Sequence, residues 1–500
     1  MGHCVTHHPS VKQTGVPLLL KGRTVTATPH ATGAPDAPSP AARLDRLPVG
    51  RWHWKLTVLV GIGAFYEYYE VFLGGVLAAV LGPMWQLNSF ETASLIASVF
   101  LGMFFGALTL GRLADRIGRR RMFLINLTIY LIFSLVAAIS PNLWVLVACR
   151  FIAGIGAGAE AALIPAYLAE FIPPQRRGRH IGYAFTMAFI AYPVIALIGA
   201  PLAESHFLIE GWRWLLVIGA SGIIALLWFR RGLPESPRWL ASVGRLDEAD
   251  ALVTKIEKEI AASTGKPLPP VPVTVSQAAA HHGEDRARVS DLFKRGARRA
   301  MIAVGALWTL NVLAYYGFSS LTPLLLADKG YDLKSSLLYT AVMAIGYPLG
   351  AFTAALIAER YERRTVCIAT GLGTAAAGLF FGFGIGSLMI MAAGFAIGFL
   401  SNVQTSSINM YGSEVFPTRL RTTAIGLCYG TGRLCAVAIP FLGIAILDNF
   451  GGTAVVLLSV TLYVVTAVLV WIFGPKTTGK SLEEITEEHR PSSPSVATVA

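Results

Sequence analysis

The chain has 500 residues, 54% hydrophobic and 14% charged, with a mean hydropathy of +0.58 and a net charge of +12. Such a balance excludes an ordinary soluble enzyme and marks a polytopic membrane protein. The basic residues fall between apolar runs rather than on one face, so they read as topology signals of a chain in contact with a lipid bilayer, and no nucleic-acid partner is expected.

Residues 1 to about 50 are rich in His, Pro, Thr and Ala, show no periodicity and are expected to be a disordered cytoplasmic tail. Their longest apolar run, Val16 to Leu20, is too short for a cleavable signal peptide, so the first span is expected to serve as its own targeting signal. His3, Cys4, His7 and His8 have no scaffold to fix ligand geometry, and the five cysteines contain no Cys-x-x-Cys pair, so neither a metal nor another cofactor is expected.

Crossing a bilayer takes about 20 apolar residues. Six such runs lie near 56–81, 93–111, 122–140, 143–165, 181–203 and 212–230, giving a first six-helix bundle over 51–232. The connections after the second and fourth runs hold Arg112, Arg116, Arg119, Arg120 and Arg121, and Arg176, Arg177 and Arg179, whereas the other connections hold almost no Lys or Arg. With Arg43, Arg46, Arg51 and Lys55 ahead of the first span, that bias puts the N terminus in the cytoplasm. Residues 233–299 form a polar cytoplasmic linker, in which apolar positions 246, 249, 252, 253, 256 and 260 predict a short helix lying against the bundle. Six further runs near 300–326, 336–358, 365–386, 388–411, 422–446 and 453–473 give a second bundle over 300–475. Residues 476–500 are a second cytoplasmic tail that opens on the capping box Ser481-Leu-Glu-Glu484.

The two halves are related. Gly111-Arg-Leu-Ala-Asp115-Arg116-Ile-Gly118-Arg119 returns 244 residues later as Ala355 to Arg363, with Glu359 in the place of Asp115. At the same offset Tyr167, Glu170, Pro173, Arg177 and Gly182 recur as Tyr411, Glu414, Pro417, Arg421 and Gly426. The expected fold is therefore an all-α membrane protein of twelve transmembrane helices in two pseudo-symmetric six-helix bundles, the architecture of a secondary transporter.

Gly474-Pro-Lys-Thr-Thr-Gly479-Lys480-Ser481 spells a phosphate-binding loop, but it follows a membrane span instead of a strand, so no ATP binding is expected. Gly102, Gly106, Gly154 and Gly158 have the spacing that lets membrane helices approach closely. Glu67, Glu70, Arg150, Glu160 and Arg433 lie inside spans, where each charge costs at least about 2.5 kcal/mol at the bilayer centre. Counting about 1.5 Å per residue from the helix ends, Glu70 and Arg150 come within reach of each other, and Glu160 falls near the inner surface, where it can pair with loop arginines or take part in coupling. Polar and aromatic residues inside spans are the candidates for facing a central cavity: Tyr192, Trp308, Asn311, Tyr315, Tyr316, Tyr347, Asn402 and Gln404. Asn311 is the repeat equivalent of Glu67 and is expected opposite it.

The Gly111 to Arg121 loop, Arg150-Phe-x-x-Gly-x-Gly-x-Gly, Pro234-Glu-Ser-Pro-Arg-Trp-Leu240 and Glu414-x-x-Pro-x-x-x-Arg421 resemble the signatures of the major facilitator superfamily, in its branch of sugar porters and bacterial metabolite:proton symporters. The resemblance covers nearly all of residues 51–485. It implies a conformational latch made of Gly111, Asp115, Arg116, Gly118, Arg119, Glu170, Arg177, Glu235, Glu359, Arg363, Glu414 and Arg421. Tyr66-Glu67-Tyr-Tyr-Glu70 resembles the paired acids of aromatic-acid:proton symporters, which implies proton coupling through Glu70, Arg150 and Glu67. Arg433 resembles an arginine of organic-ion carriers, whereas the Gln-Gln pair of sugar porters is absent around Trp308.

The expected function is proton-coupled secondary transport of a small polar metabolite, an organic and in particular an aromatic acid, by a monomer that alternates its access across the inner membrane of a bacterium. Partners are then the solute, protons and lipid. A sugar or polyol transporter, an efflux carrier and a non-transporting sensor are the alternatives.

Overall fold

The computed structural model describes residues 39–203, 205–265, 267–271, 295–357, 360–416 and 418–475. Among the described residues all regular structure is helical. A short helix α1 (Pro40–Asp45) precedes the first four spans, α2 (Arg51–Met84), α3 (Ser89–Ile117), α4 (Arg119–Ala137) and α5 (Leu143–Phe171). The fifth is α6 (Pro174–Phe189) continued by α7 (Ala191–Leu202), and the sixth is α8 (Gly211–Ala220) continued by α9 (Gly222–Gly232). After the linker helices α10 (Pro237–Ser242) and α11 (Leu246–Thr264), the second bundle begins with α12 (Arg295–Ser319) and its extension α13 (Thr322–Asp328). It continues through α14 (Leu333–Ala344) with α15 (Gly346–Ile357), α16 (Arg363–Phe383), α17 (Ser387–Val415), α18 (Thr418–Phe450) and α19 (Gly452–Phe473). Eleven of the twelve spans are long and apolar enough to cross a bilayer, and the sixth is a shorter apolar segment interrupted at Ser221.

Local chemistry sets the ends. Asn88 caps α3 by accepting from the Glu91 amide at 2.9 Å while Glu91 reaches back to the Asn88 amide at 3.0 Å. Asn142 and Asp332 cap α5 and α14 more simply, each side chain accepting one backbone amide, from Val145 at 3.0 Å and from Ser335 at 3.1 Å. These caps lie at the end opposite the arginine-rich turns, called here the charged end.

The duplication is visible in the packing. A Cβ on Gly102 or Gly106 of α3 would sit 2.0 Å from the carbonyl oxygens of Phe151 and Ile155 on α5. At the same offset in the second bundle, a Cβ on Gly346 or Gly350 of α15 would sit 2.3 and 2.2 Å from the carbonyls of Phe395 and Phe399 on α17. Without side chains at these positions the two helices of each pair touch backbone to backbone, which is how membrane helices gain dispersion contact.

The tail differs from its expected disorder over its last residues. α1 is capped by Ser39, buries Leu44, is followed by the buried Leu47, and with Arg43 and Arg46 clasps α11. Arg43 donates to Glu257 at 2.5 and 3.2 Å, to Thr254 at 2.9 Å and to Asp250, while Arg46 donates to Glu257 at 2.7 Å. Burial alone would raise the Glu257 carboxyl, but hydrogen bonds from Arg43 and Arg46 and their charges hold it below the ordinary carboxylate range. The clasp escaped the sequence reading because a six-residue helix shows no period, and it is held by charges more than 200 residues away in the chain. The stripe on α11 is present, with Ala249, Val253, Ile256 and Ile260 buried and only Leu246 turned outward.

Candidate functional site

A cavity of about 500 Å³ lies between the two bundles. At mid-span its wall is Tyr68 of α2, Phe185 and Phe189 of α6, Trp308, Asn311, Tyr315 and Tyr316 of α12, and Tyr429 and Arg433 of α18. From there it runs toward the charged end past Gly178, Gly182, Ala354 and Ala355. The other end is closed. Tyr192 donates across the bundles to the Ser319 carbonyl at 2.5 Å and stacks on Phe72 at 4.2 Å, with Tyr347 wedged edge-on between Tyr192 and Tyr315. Below that plug a Cβ on Gly75 would meet the Ser320 carbonyl at 2.3 Å, so the bundles touch there directly.

Arg433 is the charged group of the cavity wall and is only 8% exposed. Its Nε donates to the Tyr429 hydroxyl at 2.9 Å, its Nη1 to the Tyr316 hydroxyl at 3.4 Å, and the guanidinium lies 4.9 Å from the centre of the Tyr429 ring. Among the described residues no carboxylate pairs with it. Asn311 Oδ1, Trp308 Nε1 and Tyr315 Oη are also buried without a hydrogen-bond partner in the described chain. A cation, a donor and acceptors therefore converge on an otherwise aromatic space, the usual composition of a small-molecule site.

The acids of α2 have separate surroundings although they lie three residues apart. Glu70 accepts from Arg150 Nη1 at 2.9 Å, and Arg150 also donates to the Glu70 carbonyl at 3.2 Å and the Leu95 carbonyl at 3.4 Å. Both side chains are buried, so this pair is isolated from solvent. Glu67 lies outside the cavity wall, where its neighbour Tyr68 takes the place expected for it opposite Asn311. Glu160 is wholly buried at 0% exposure, not at the surface with loop arginines, because α5 continues eleven residues beyond it to Phe171.

Four other residues expected at the cavity lie elsewhere. Tyr192 and Tyr347 belong to the plug. Asn402 bonds to the Gly398 carbonyl of its own helix at 3.2 Å, and Gln404 bonds to the Cys367 carbonyl of α16 at 2.9 Å. The face of α17 toward the cavity is instead Thr405, Ser406, Ile408, Asn409 and Met410, a choice of helix face that polarity alone does not reveal.

At the charged end Arg119 pairs with Glu170 at 3.3 Å. Glu235 accepts from the Arg120 amide at 3.0 Å, a carboxylate at the positive end of α4. Gly118 makes this possible, since its φ is +105° and a Cβ there would lie 2.5 Å from Glu235 Oε2. Arg177 pairs with Asp45 at 3.5 Å, and Arg238 joins Asp45 at 2.6 Å and the Glu170 carbonyl at 3.1 Å. Gly111 lies within α3, Arg116 is exposed, and Arg363 donates to the Tyr361 carbonyl at 3.0 Å. The side chains of Asp115, Glu359, Glu414 and Arg421 lie outside the described residues, as do the first tail up to residue 38, most of the phosphate-loop look-alike and the last capping box.

Sequence reasoning missed Asp45, Arg238, Tyr68 and Tyr429. Tyr429 was readable, being four residues before Arg433 and so on the same helix face. Asp45 carried no such signal.

Comparison with known proteins agrees with this architecture. The sugar (and other) transporter family matches residues 58–489. A metabolite transport protein of Bacillus subtilis, YyaJ, is 32% identical over 88% of this chain and 96% of its own. The niacin transporter NiaP of Acinetobacter baylyi is 29% identical over 89% of this chain and 99% of its own, and a gallate transporter of Pseudomonas putida is 26% identical over 81% and 88%. The xylose transporter XylE of Escherichia coli, in a partially occluded inward-open conformation, superposes with a TM-score of 0.68 over 86% of this chain and 99% of its own at 18% identity. The chain therefore belongs to the sugar (and other) transporter family of the major facilitator superfamily and is a multi-pass membrane transporter of small metabolites, not an enzyme.

Proposed function

We propose that the chain is a proton symporter for an aromatic monocarboxylate. The observation that carries this reading is Arg433, a buried guanidinium on the wall of an aromatic cavity with hydroxyl partners and no carboxylate among the described residues. A planar fork of donors without an anion is matched by a carboxylate, and the rings of Tyr68, Trp308, Tyr316 and Tyr429 match an aromatic body. Relatives named for niacin and gallate, both aromatic acids, support the same class. A hexose would leave most of its hydroxyls facing apolar wall.

In this reading Glu70 carries the proton. It sits on α2 and its partner Arg150 on α5, so a shift between these helices exchanges an ion-paired carboxylate for a protonated one. One proton carried with one carboxylate anion moves no net charge, so the pH gradient drives accumulation; only a further proton would add about 2.3 kcal/mol per 100 mV of membrane potential. Access alternates between this state, plugged at its outer end and open toward the charged end, and its reverse, while the Arg119–Glu170 and Asp45–Arg177–Arg238 contacts brace the charged end of the first bundle. The charged end with both tails and the linker faces the cytoplasm, the segments 51–232 and 300–475 act as the two moving bundles, and one chain holds every part of the cycle.

Thermal-shift measurements on the purified chain test the substrate class. Nicotinate, benzoate or gallate should raise the melting temperature and xylose or glucose should not; stabilisation by the sugars alone would refute it. Orientation is tested with Glu259→Cys, an exposed site on α11, in a background lacking the native cysteines. It should resist a membrane-impermeant thiol reagent in intact cells, and rapid labelling would put the linker outside.

A further inference from the structure

We propose that Gly74 is a positioning residue for proton exchange at Glu70: it leaves the Glu70 backbone carbonyl bare, so that Arg150 keeps a berth on α2 and α3 while the carboxyl is protonated. Its part in transport rests on Glu70 as the proton carrier proposed above, whereas the berth itself does not.

An arginine inside a protein stays charged whatever its neighbours do. Arg150 is at 0% exposure, and among the described residues its hydrogen-bond partners are one carboxylate oxygen and two backbone carbonyls. Nη1 holds the carboxylate at 2.9 Å, Nη2 the Glu70 carbonyl at 3.2 Å, and Nε the Leu95 carbonyl of α3 at 3.4 Å. Protonation of Glu70 removes the carboxylate charge and leaves the guanidinium buried, a state that is costly unless other acceptors remain. The two carbonyls are such acceptors, and they do not change with pH.

A helical carbonyl already accepts from the amide four residues on. Its second lone pair is open only where the side chain of that later residue, which leans back toward the helix N terminus, does not cover it. For Glu70 that residue is Gly74. A Cβ on Gly74 would lie 3.0 Å from Arg150 Nη2 and 3.8 Å from its Cζ, while the nearest backbone, the Ile96 Cα of α3, stays at an ordinary 3.5 Å. Alanine therefore displaces the end of a flexible side chain and leaves the packing of α2 on α3 intact. The two states of Glu70 are affected unequally. With the carboxyl ionised, the ion pair still holds Arg150; with it protonated, Arg150 loses its acceptor on α2. Glycine thus favours the protonated state, and losing it weakens proton binding. The other charged and titratable groups around the pair are Tyr66, Glu67 and Tyr69 on α2, Tyr130 on α4 and Glu160 on α5, with the Ser134 hydroxyl on α4 and the Leu215 carbonyl of α8, which accepts from Tyr69 at 2.8 Å. None of them is a cation, and none is altered by the substitutions below.

The experiment uses the full-length protein, with Gly82→Ala as the control, because a Cβ at that position of the same helix meets nothing within 4 Å. Its first arm needs no ligand and reads melting temperature in detergent at neutral pH, with Glu70→Gln standing for the protonated carboxyl. Gly74→Ala alone should melt close to the wild type. Gly74→Ala/Glu70→Gln should melt about 2 °C or more below the value given by adding the two single shifts, whereas Gly82→Ala/Glu70→Gln should be additive. Additivity in the Gly74 double variant overturns the proposal, and so does a Gly74→Ala protein that fails to fold, since the ion pair is there to hold Arg150. The second arm reads the external pH giving half-maximal uptake of nicotinate into proteoliposomes at a fixed pH difference. Gly74→Ala should shift it about one unit toward acid, a tenfold weaker hold on the proton, and Gly82→Ala should not. An unshifted profile in an active Gly74→Ala protein overturns the positioning role. A wild type that takes up no nicotinate refutes the substrate reading instead, and the first arm then decides the berth.

Discussion

Replacing Arg433 by Gln removes the charge while keeping an amide donor of similar reach. The guanidinium is held by Tyr429 at 2.9 Å and Tyr316 at 3.4 Å, and both hydroxyls remain after the change, so the cavity keeps its shape. Losing the cation–π contact with Tyr429 lowers stability by about 0.5–2 kcal/mol, too little to unfold the chain. A hydrogen bond to a charged group contributes about 1.5–3 kcal/mol. At about 1.4 kcal/mol per factor of ten, nicotinate binding should weaken roughly 10- to 140-fold. Nicotinamide, the same ring without the carboxylate charge, should bind the variant and the wild type nearly equally. Calorimetric titration of both ligands into both proteins measures the four affinities. A folded Arg433→Gln protein that binds nicotinate within about twofold of the wild type would remove the central reason for assigning a carboxylate.

Glu70→Gln should abolish accumulation of substrate driven by an imposed pH gradient while counterflow exchange is retained, because the amide cannot release a proton but keeps the shape beside Arg150; gradient-driven accumulation by the variant would assign the proton elsewhere. Glu257 has a lowered folded pKa, so the α1–α11 clasp contributes stability above the ordinary carboxylate range and loses it as pH falls through that lowered value. Hydrogen exchange in α11 should accelerate at such acid pH in the wild type, and Arg43→Ala should bring that acceleration to neutral pH. Gly102→Val would push a side chain into the Phe151 carbonyl, and should cost about 1–3 kcal/mol in thermal or denaturant stability.

Span number, the charged turns, the duplicated half and the Glu70–Arg150 pair were legible from residue order, because apolar length, charge placement and the offset of 244 are one-dimensional properties that lipid and symmetry translate directly into structure. The Gly102 and Gly346 contacts express that same repeat in packing. Tertiary structure alone decided which face of each helix meets the cavity. Gln404 is as polar as Asn311, yet it turns away to the Cys367 carbonyl of α16, and Glu67 cedes the wall to Tyr68. It alone decided that Glu160 stands unpaired beside α2 and that Asp45 joins two arginines from distant parts of the chain. The outward face of a span, with Phe105, Leu197 and Ile224 exposed, is as apolar as its packed face, so an apolar period no longer marks one side. The rotation of each helix is set by close packing at its glycines, a property of two segments together that neither carries by itself.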